Sequence, residues 1–210
     1  MSACCDHCRD APPGRDQPYR ALLWAALAIN AAMFGVEIGA GVAAGSAALQ
    51  ADALDFLGDT ANYAISLFVL GMALRYRAGA ALAKGVTMGI FGVWVLVVTA
   101  WHVVHGTVPH PLMMGIVGFA ALGANAASFA LLWRHRRAEA NIRSAWICTR
   151  NDVLGNLAVL LAALGVFGTQ TGWPDFVVAA IMAVLALQGS VAVIRQSLAE
   201  LSASAAQSAQ

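Results

Sequence analysis

Charge is what this sequence has least of. Asp, Glu, Lys and Arg make up 11% of 210 residues, against 60% hydrophobic, and the mean hydropathy is +0.71. That balance excludes a soluble core wrapped in a charged surface and predicts an integral membrane protein. The net charge is only +1, and no nucleic-acid partner is expected. Cysteine is scarce too: four residues, three of them Cys4, Cys5 and Cys8 in a polar N-terminus. If that end is cytoplasmic its thiols stay reduced, which disfavours a disulfide framework. No phosphate-cradling Gly-x-x-x-x-Gly-Lys occurs, so nothing points to ATP as a driving force. A cleaved signal peptide is not expected, because the first apolar run is too long for an h-region and carries Asn30 and Glu37.

Apolar runs fill the rest. Six spans are expected, at about Ala21–Ala44, Leu49–Leu74, Gly85–His105, Leu112–Trp133, Ser144–Phe167 and Pro174–Ile194, each near the ~17–25 residues that cross a bilayer. The reading is therefore an all-α integral membrane protein with six transmembrane helices. A tail precedes it at 1–20, the six-helix domain covers 21–195, and a short frayed tail follows at 196–210. The connections at 44–48, 106–111 and 168–173 carry no Lys or Arg. Eleven of the twelve basic residues fall on the other side: Arg9, Arg15, Arg20, Arg75, Arg77, Lys84, Arg134, Arg136, Arg137, Arg143 and Arg195. The positive-inside rule then places both termini in the cytoplasm. Trp24, Trp133 and Trp146 fall near the inner interface, and Trp101 and Trp173 near the outer one. The pairs Gly35/Gly39, Gly41/Gly45 and Gly85/Gly89 have the small-xxx-small spacing of close helix packing.

Against this background the acids stand out. Asp52, Asp55 and Asp59 lie i, i+3, i+7 in the second span and share one helix face, which Asn62 continues. A carboxylate at membrane depth costs about 2.5–3.5 kcal/mol by insertion scales. Three on one stripe must face protein, water or a cation. In the fifth span Cys148, Asp152 and Asn156 repeat every four residues on one face. With ~1.5 Å rise per residue, Asp59 and Asp152 both reach the middle of the bilayer. Asp55, Asp59, Cys148 and Asp152 packed together are repulsive alone and a coordination site with a divalent cation.

The run Gly45-Ser46-Ala47-Ala48-Leu49-Gln50-Ala51-Asp52-Ala53-Leu54-Asp55, with Asp59, resembles the second-helix signature of the cation diffusion facilitator family. Cys148-Thr149-Arg150-Asn151-Asp152, with Asn156, is similar to that family's fifth-helix motif. Asn30, Glu37 and Gln196-Ser197-Leu198 also fit, and the resemblance runs from about Tyr19 to Leu201. It implies a homodimeric divalent-metal/proton antiporter working by alternating access, with Asp55, Asp59, Cys148 and Asp152 as metal ligands. No cofactor is implied, the metal being cargo. Zinc-type members usually have histidine at the position of Cys148 and often at that of Asp55, and most carry a cytoplasmic metal-binding domain after the sixth helix.

The expected activity is export of Zn²⁺, and Cd²⁺ with it, across a bacterial inner membrane against protons. Alternatives are a Mn²⁺, Fe²⁺ or Co²⁺ exporter and a non-transporting metal sensor. An intramembrane aspartyl protease fits less well, because Leu57-Gly58-Asp59 is not the Gly-x-Gly-Asp of such enzymes. Asp52, Asn62, Asn156 and Glu37 are assigned accessory places around the ligands; Asp52 is read as a helix N-terminal anion or an outer partner of the site. Asn30 and Glu37 lie i, i+7 on one face of the first span, toward the bundle, and are read as making structural hydrogen bonds rather than ligating metal. Cys4, Cys5, His7 and Cys8 form a candidate metal-capture cluster. Arg150 lies roughly 200° around the helix from Cys148 and is read as snorkelling. His102, His105 and His110 are read as interface residues rather than a release site.

Overall fold

The computed structural model describes residues 17–69, 72–133 and 140–208, side chains excepted at 17–19, 74, 132–133, 140–151 and 205–208. The Cys4, Cys5, His7 and Cys8 cluster and the side chains of Cys148 and Arg150 lie outside the described residues. Six helices and no strand occur among those described: α1 (Gln17–Ala44), α2 (Ala47–Phe68), α3 (Leu74–His105), α4 (Pro111–Trp133), α5 (Ala140–Thr169) and α6 (Trp173–Ser208). Five of them, all but α2, are long and apolar enough to cross a membrane. The three aspartates of α2 take it out of that set, although its 22 residues match the length of a span.

Large apolar side chains lie outside and acids inside. Val104 is 79% and Phe167 69% exposed, whereas Glu37 is fully buried. This inversion of the soluble pattern suits a hydrocarbon surrounding, where the polar face of a helix turns to its neighbours. Helix α2 contacts all five others, while α3 packs mainly on α6 and α4 on α5. Its first ten residues, Ala47 to Phe56, are buried without exception.

The turn into α2 is dictated locally. Gly45 takes φ +65, the left-handed conformation that glycine adopts without a Cβ clash. Gly45 N–H reaches Val42 O at 3.3 Å and Ser46 N–H reaches Gly41 O at 2.9 Å, the paired bonds that close a helix C-terminus. Ser46 then caps α2, accepting from Leu49 N–H at 3.1 Å. A second cap comes from α6. Fully buried Asp175 accepts from Ser46 Oγ at 2.6 Å, Ala47 N–H at 2.9 Å and Ala48 N–H at 3.2 Å. A carboxylate at the positive end of a helix dipole is favourable, and here it fixes the depth of α2.

Several expected boundaries move. The third helix starts at Leu74, so Arg75, Arg77 and Lys84 lie on a helix rather than in a connection. The sixth continues to Ser208 as one helix, where a frayed tail is expected from 196; Ser197 is buried on it. The glycines divide. Gly85, Gly89 and Gly92 admit α6, since a Cβ on each would lie 3.0 Å or less from Ile194, Ser190 and Leu187. Gly41 abuts Gln50 in the same way, but among the described residues Gly35 and Gly39 meet nothing within 4 Å, so their spacing serves no contact there.

Removing the Asp175 cap strands one hydroxyl and two backbone donors in a buried place. Asp175→Ala should cost roughly 2 kcal/mol and lower the melting temperature in detergent, and Asp175→Asn should cost less. An unchanged melt for Asp175→Ala would remove the cap from the account of α2.

Candidate functional site

Helices α2 and α3 are antiparallel, with Gln50 facing Trp94, Gly58 facing Met88 and Asn62 facing Lys84. Helices α2 and α5 are antiparallel as well. Gly155 of α5 abuts Asp55 and Asp52 of α2, and a Cβ there would sit 3.3 Å from Asp55 Oδ2 and 3.4 Å from Asp52 Oδ1. One turn further along, Asp59 and Asp152 come within hydrogen-bonding reach of each other. The missing Cβ of Gly155 is thus what lets α5 approach the acidic face of α2.

The acids form a seam in two parts. Glu37 of α1 and Asp52 of α2 face each other, 0% and 1% exposed. Among the described residues no other group bonds the two Glu37 oxygens or Asp52 Oδ2. Two ionised carboxylates are acceptors only, so this contact needs a shared proton. Asp55, Asp59 and Asp152 make the second part, at 7–8% exposed. All three are buried, slightly less completely than Glu37 and Asp52.

The partners of the lower part are defined. Asn62 hydrogen-bonds Asp59 and accepts from Lys84 Nζ at 2.5 Å. Asn156 is fully buried and donates back to Asp152 O at 2.9 Å, steadying the helix turn that carries the carboxylate. Asn30 Nδ2 donates to Ala26 O at 2.8 Å. So α1 supplies one acid facing Asp52, and Asn30 bonds within its own helix.

Of the expected ligands, the structure brings Asp59 and Asp152 together, with Asp55 beside Gly155 on the same seam. Among the described residues no three His, Cys, Asp or Glu side chains converge to hold a metal ion; the side chain of Cys148 is not among them. Asp52 is not the anion at the N-terminus of α2. Asp175 takes that place, because the helix starts at Ala47 and Asp52 lies more than a turn inside it. The histidines do not converge: His105 stacks on Trp101 at 3.8 Å, and His102 faces Phe176.

Asp175, Lys84 and Gly155 are the residues that sequence reasoning missed. Only Trp173-Pro174-Asp175, an acid in the first turn after a proline, hinted at one of them, and it pointed to the cap of its own helix.

The seam predicts a covalent test. With Cys4, Cys5, Cys8 and Cys148 replaced by serine, mild oxidation of Asp59→Cys/Asp152→Cys should link the two thiols within one chain, whereas Asp59→Cys with Leu161→Cys, which is 68% exposed, should stay reduced. Intact mass after alkylation reads the outcome. Thiols that remain free in Asp59→Cys/Asp152→Cys would place α2 and α5 in another register.

Residues 23–202 match the family model of the cation efflux transmembrane domain. The chain is similar to zinc transporter ZitB of Escherichia coli (strain K12), 28% identical over 207 residues, covering 89% of this chain and 63% of that protein. It is also similar to metal cation efflux system protein CzcD of Cupriavidus metallidurans, 25% identical over 204 residues, covering 91% of this chain and 63% of that protein. It therefore spans 63% of the length of each of these curated relatives. With apolar helices outside and a carboxylate seam where α2 meets α5, the chain belongs to the cation efflux family, the cation diffusion facilitators, and is a multi-pass membrane protein.

Proposed function

We propose that the protein exports Zn²⁺, and Cd²⁺ with it, from the cytoplasm in exchange for protons. The observation that carries this reading is the meeting of Asp59 and Asp152 across α2 and α5. Asp55, one turn from Asp59, and Cys148, one turn from Asp152, complete the ligand set. Membership of the cation efflux family supports export, and similarity to a protein named as a zinc transporter supports the metal. A carboxyl pair in contact would also suit acid–base chemistry on a peptide, but a family defined by cation efflux supports no such role.

The chemistry follows from the seam. Without metal, carboxylates in contact share protons, because two ionised groups repel and offer no donor. A divalent ion entering from the cytoplasm displaces those protons and takes the oxygens as ligands. Protons arriving from the outer side reverse the exchange and release the metal. Glu37 and Asp52 stand behind the ligands as a sealed accessory pair. Helix α2 is the sixth span despite its acids, since α1 and α3 bracket it and both termini then lie in the cytoplasm of a bacterial inner membrane. The working unit is a homodimer. Gly35 and Gly39, open within the chain, are better placed for that contact than the α3 glycines, which α6 occupies. Cys4, Cys5, His7 and Cys8 collect metal at the cytoplasmic entrance and raise its local concentration.

Reconstituted in proteoliposomes, Asp59→Asn and Asp152→Asn should each lose metal-dependent proton flux by at least about 100-fold, the scale of removing a charged group whose loss costs ~3 kcal/mol. Wild-type flux in both would sink the ligand assignment. Cys148 decides the metal. A thiolate favours Cd²⁺ and Zn²⁺, whereas an all-oxygen site accepts Mn²⁺ more readily. Cys148→Asp should therefore lower the Cd²⁺/Mn²⁺ uptake ratio, and Cys148→His should keep Zn²⁺ uptake. Ratios unchanged from wild type in both variants would leave Cys148 as a small packing residue and favour a Mn²⁺, Fe²⁺ or Co²⁺ exporter.

A further inference from the structure

Lys84 looks in the sequence like one more inner-side topology charge, yet it sits eleven positions into α3, half-buried against α2. Its ammonium donates to Asn62 Oδ1 at 2.5 Å. With its carbonyl end so committed, Asn62 offers its amide N–H to Asp59, to which it is hydrogen-bonded, and Asp59 meets Asp152. Ammonium, amide and two carboxylates thus form one line from α3 through α2 to α5.

That line is held from behind. Gly85 brings α6 against α3, since a Cβ there would lie 3.0 Å from Ile194 and 3.1 Å from Val193. Ser190 Oγ donates to Gly85 O at 2.7 Å, clamping the backbone beside Lys84. On the α2 side, Met88 packs on Gly58. Arg75 and Arg77 lie nearer the start of the same helix and suffice for topology. A topology charge has no need of a half-buried amide partner next to two acids.

A fixed positive charge here acts in opposite senses on the two states of the site. When the seam is empty it offsets carboxylate charge in a poorly solvated place. When a divalent cation is present it is a like-charged neighbour. We propose that Lys84 is a tethered counter-ion of the empty site, holding Asp59 through Asn62 and competing with the metal for it. Metal entry then loosens the lysine's hold, and the lysine's return assists release. The inference rests on the assignment of Asp59 and Asp152 as ligands.

A merely structural lysine and a counter-ion predict opposite signs. Loss of a structural contact weakens metal binding; loss of a competing charge tightens it. Isothermal titration of Zn²⁺ into the full-length protein, with Zn²⁺ uptake in proteoliposomes alongside, separates them. Lys84→Gln should bind Zn²⁺ about tenfold more tightly, the effect of ~1.4 kcal/mol of charge repulsion, and should turn over more slowly because release loses its competitor. Lys84→Arg keeps the charge and should stay near wild type on both readouts. Lys84→Met, of similar length without charge, carries the same expectation as Lys84→Gln and serves if that variant does not fold. Asp59→Asn is the control. Wild-type binding in Asp59→Asn overturns the ligand assignment and the counter-ion with it. Lost binding in Asp59→Asn, with unchanged or weaker binding in Lys84→Gln or Lys84→Met, overturns the counter-ion alone.

Discussion

Each carboxylate placed in hydrocarbon costs about 2.5–3.5 kcal/mol on insertion scales, and α2 holds Asp52, Asp55 and Asp59 within eight residues. No arrangement facing lipid tolerates that load, so α2 has to be enclosed. The rest of the bundle answers this one constraint. All five other helices touch α2, and the acids find partners on α1, α3 and α5. The enclosing helices can be apolar on their outer faces because the polar chemistry is concentrated on one element. This is why α1, α3, α4, α5 and α6 look like membrane spans by composition and α2 does not.

Enclosure alone would not set the depth of α2, and depth decides which acids meet. Asp175 settles it from the N-terminal end of α2. Three short hydrogen bonds tie the first turn of α2 to α6, and His110 N–H to Ala44 O at 2.9 Å ties the preceding turn to the next loop. With the start of α2 fixed, the i, i+3, i+7 spacing does the rest. Asp52 falls opposite Glu37, Asp55 opposite Gly155 and Asp59 opposite Asp152. A helix propped at its N-terminus by a neighbouring helix can transmit a shift of that neighbour directly to the acids, since close-packed helices move as units rather than deforming continuously.

Much of this was legible in the chain, for reasons that can be named. Helix periodicity placed the acids of α2 on one face, and the length of the apolar runs located five of the spans to within a few residues at one end or both. The approach of Asp59 to Asp152 followed from counting depth along two antiparallel helices. What stayed hidden depends on partners distant in sequence. Asp175 caps a helix 127 to 129 positions earlier, and no local pattern announces that. Gly35/Gly39 and Gly85/Gly89 have the same spacing, yet among the described residues only the second pair meets a helix, because spacing marks a smooth face without saying what lies against it. The start of α3 was misplaced because Arg75, Arg77 and Lys84 read as a polar connection, whereas arginine and lysine are good helix formers.

Lys84 shows where charge counting stops being enough. By the positive-inside rule it is one of eleven equivalent basic residues, and the rule treats each as a label of sidedness. Geometry distinguishes it. Its hydrogen bond to Asn62 commits one end of an amide whose other end serves Asp59, so its charge belongs electrostatically to the acidic seam. If the seam is the proposed metal site, it stands vacant for part of each cycle and needs a source of positive charge in that interval. Shared protons supply some of it, and on the counter-ion proposal the ammonium of Lys84 on a neighbouring helix supplies more. On the proposed reading, a divalent cation meets an occupied seam rather than a bare one, and its affinity is set by the difference between two positively charged states. That difference is smaller than the attraction of a metal for naked carboxylates, and the proposed exporter, unlike a storage site, would have to let its metal go.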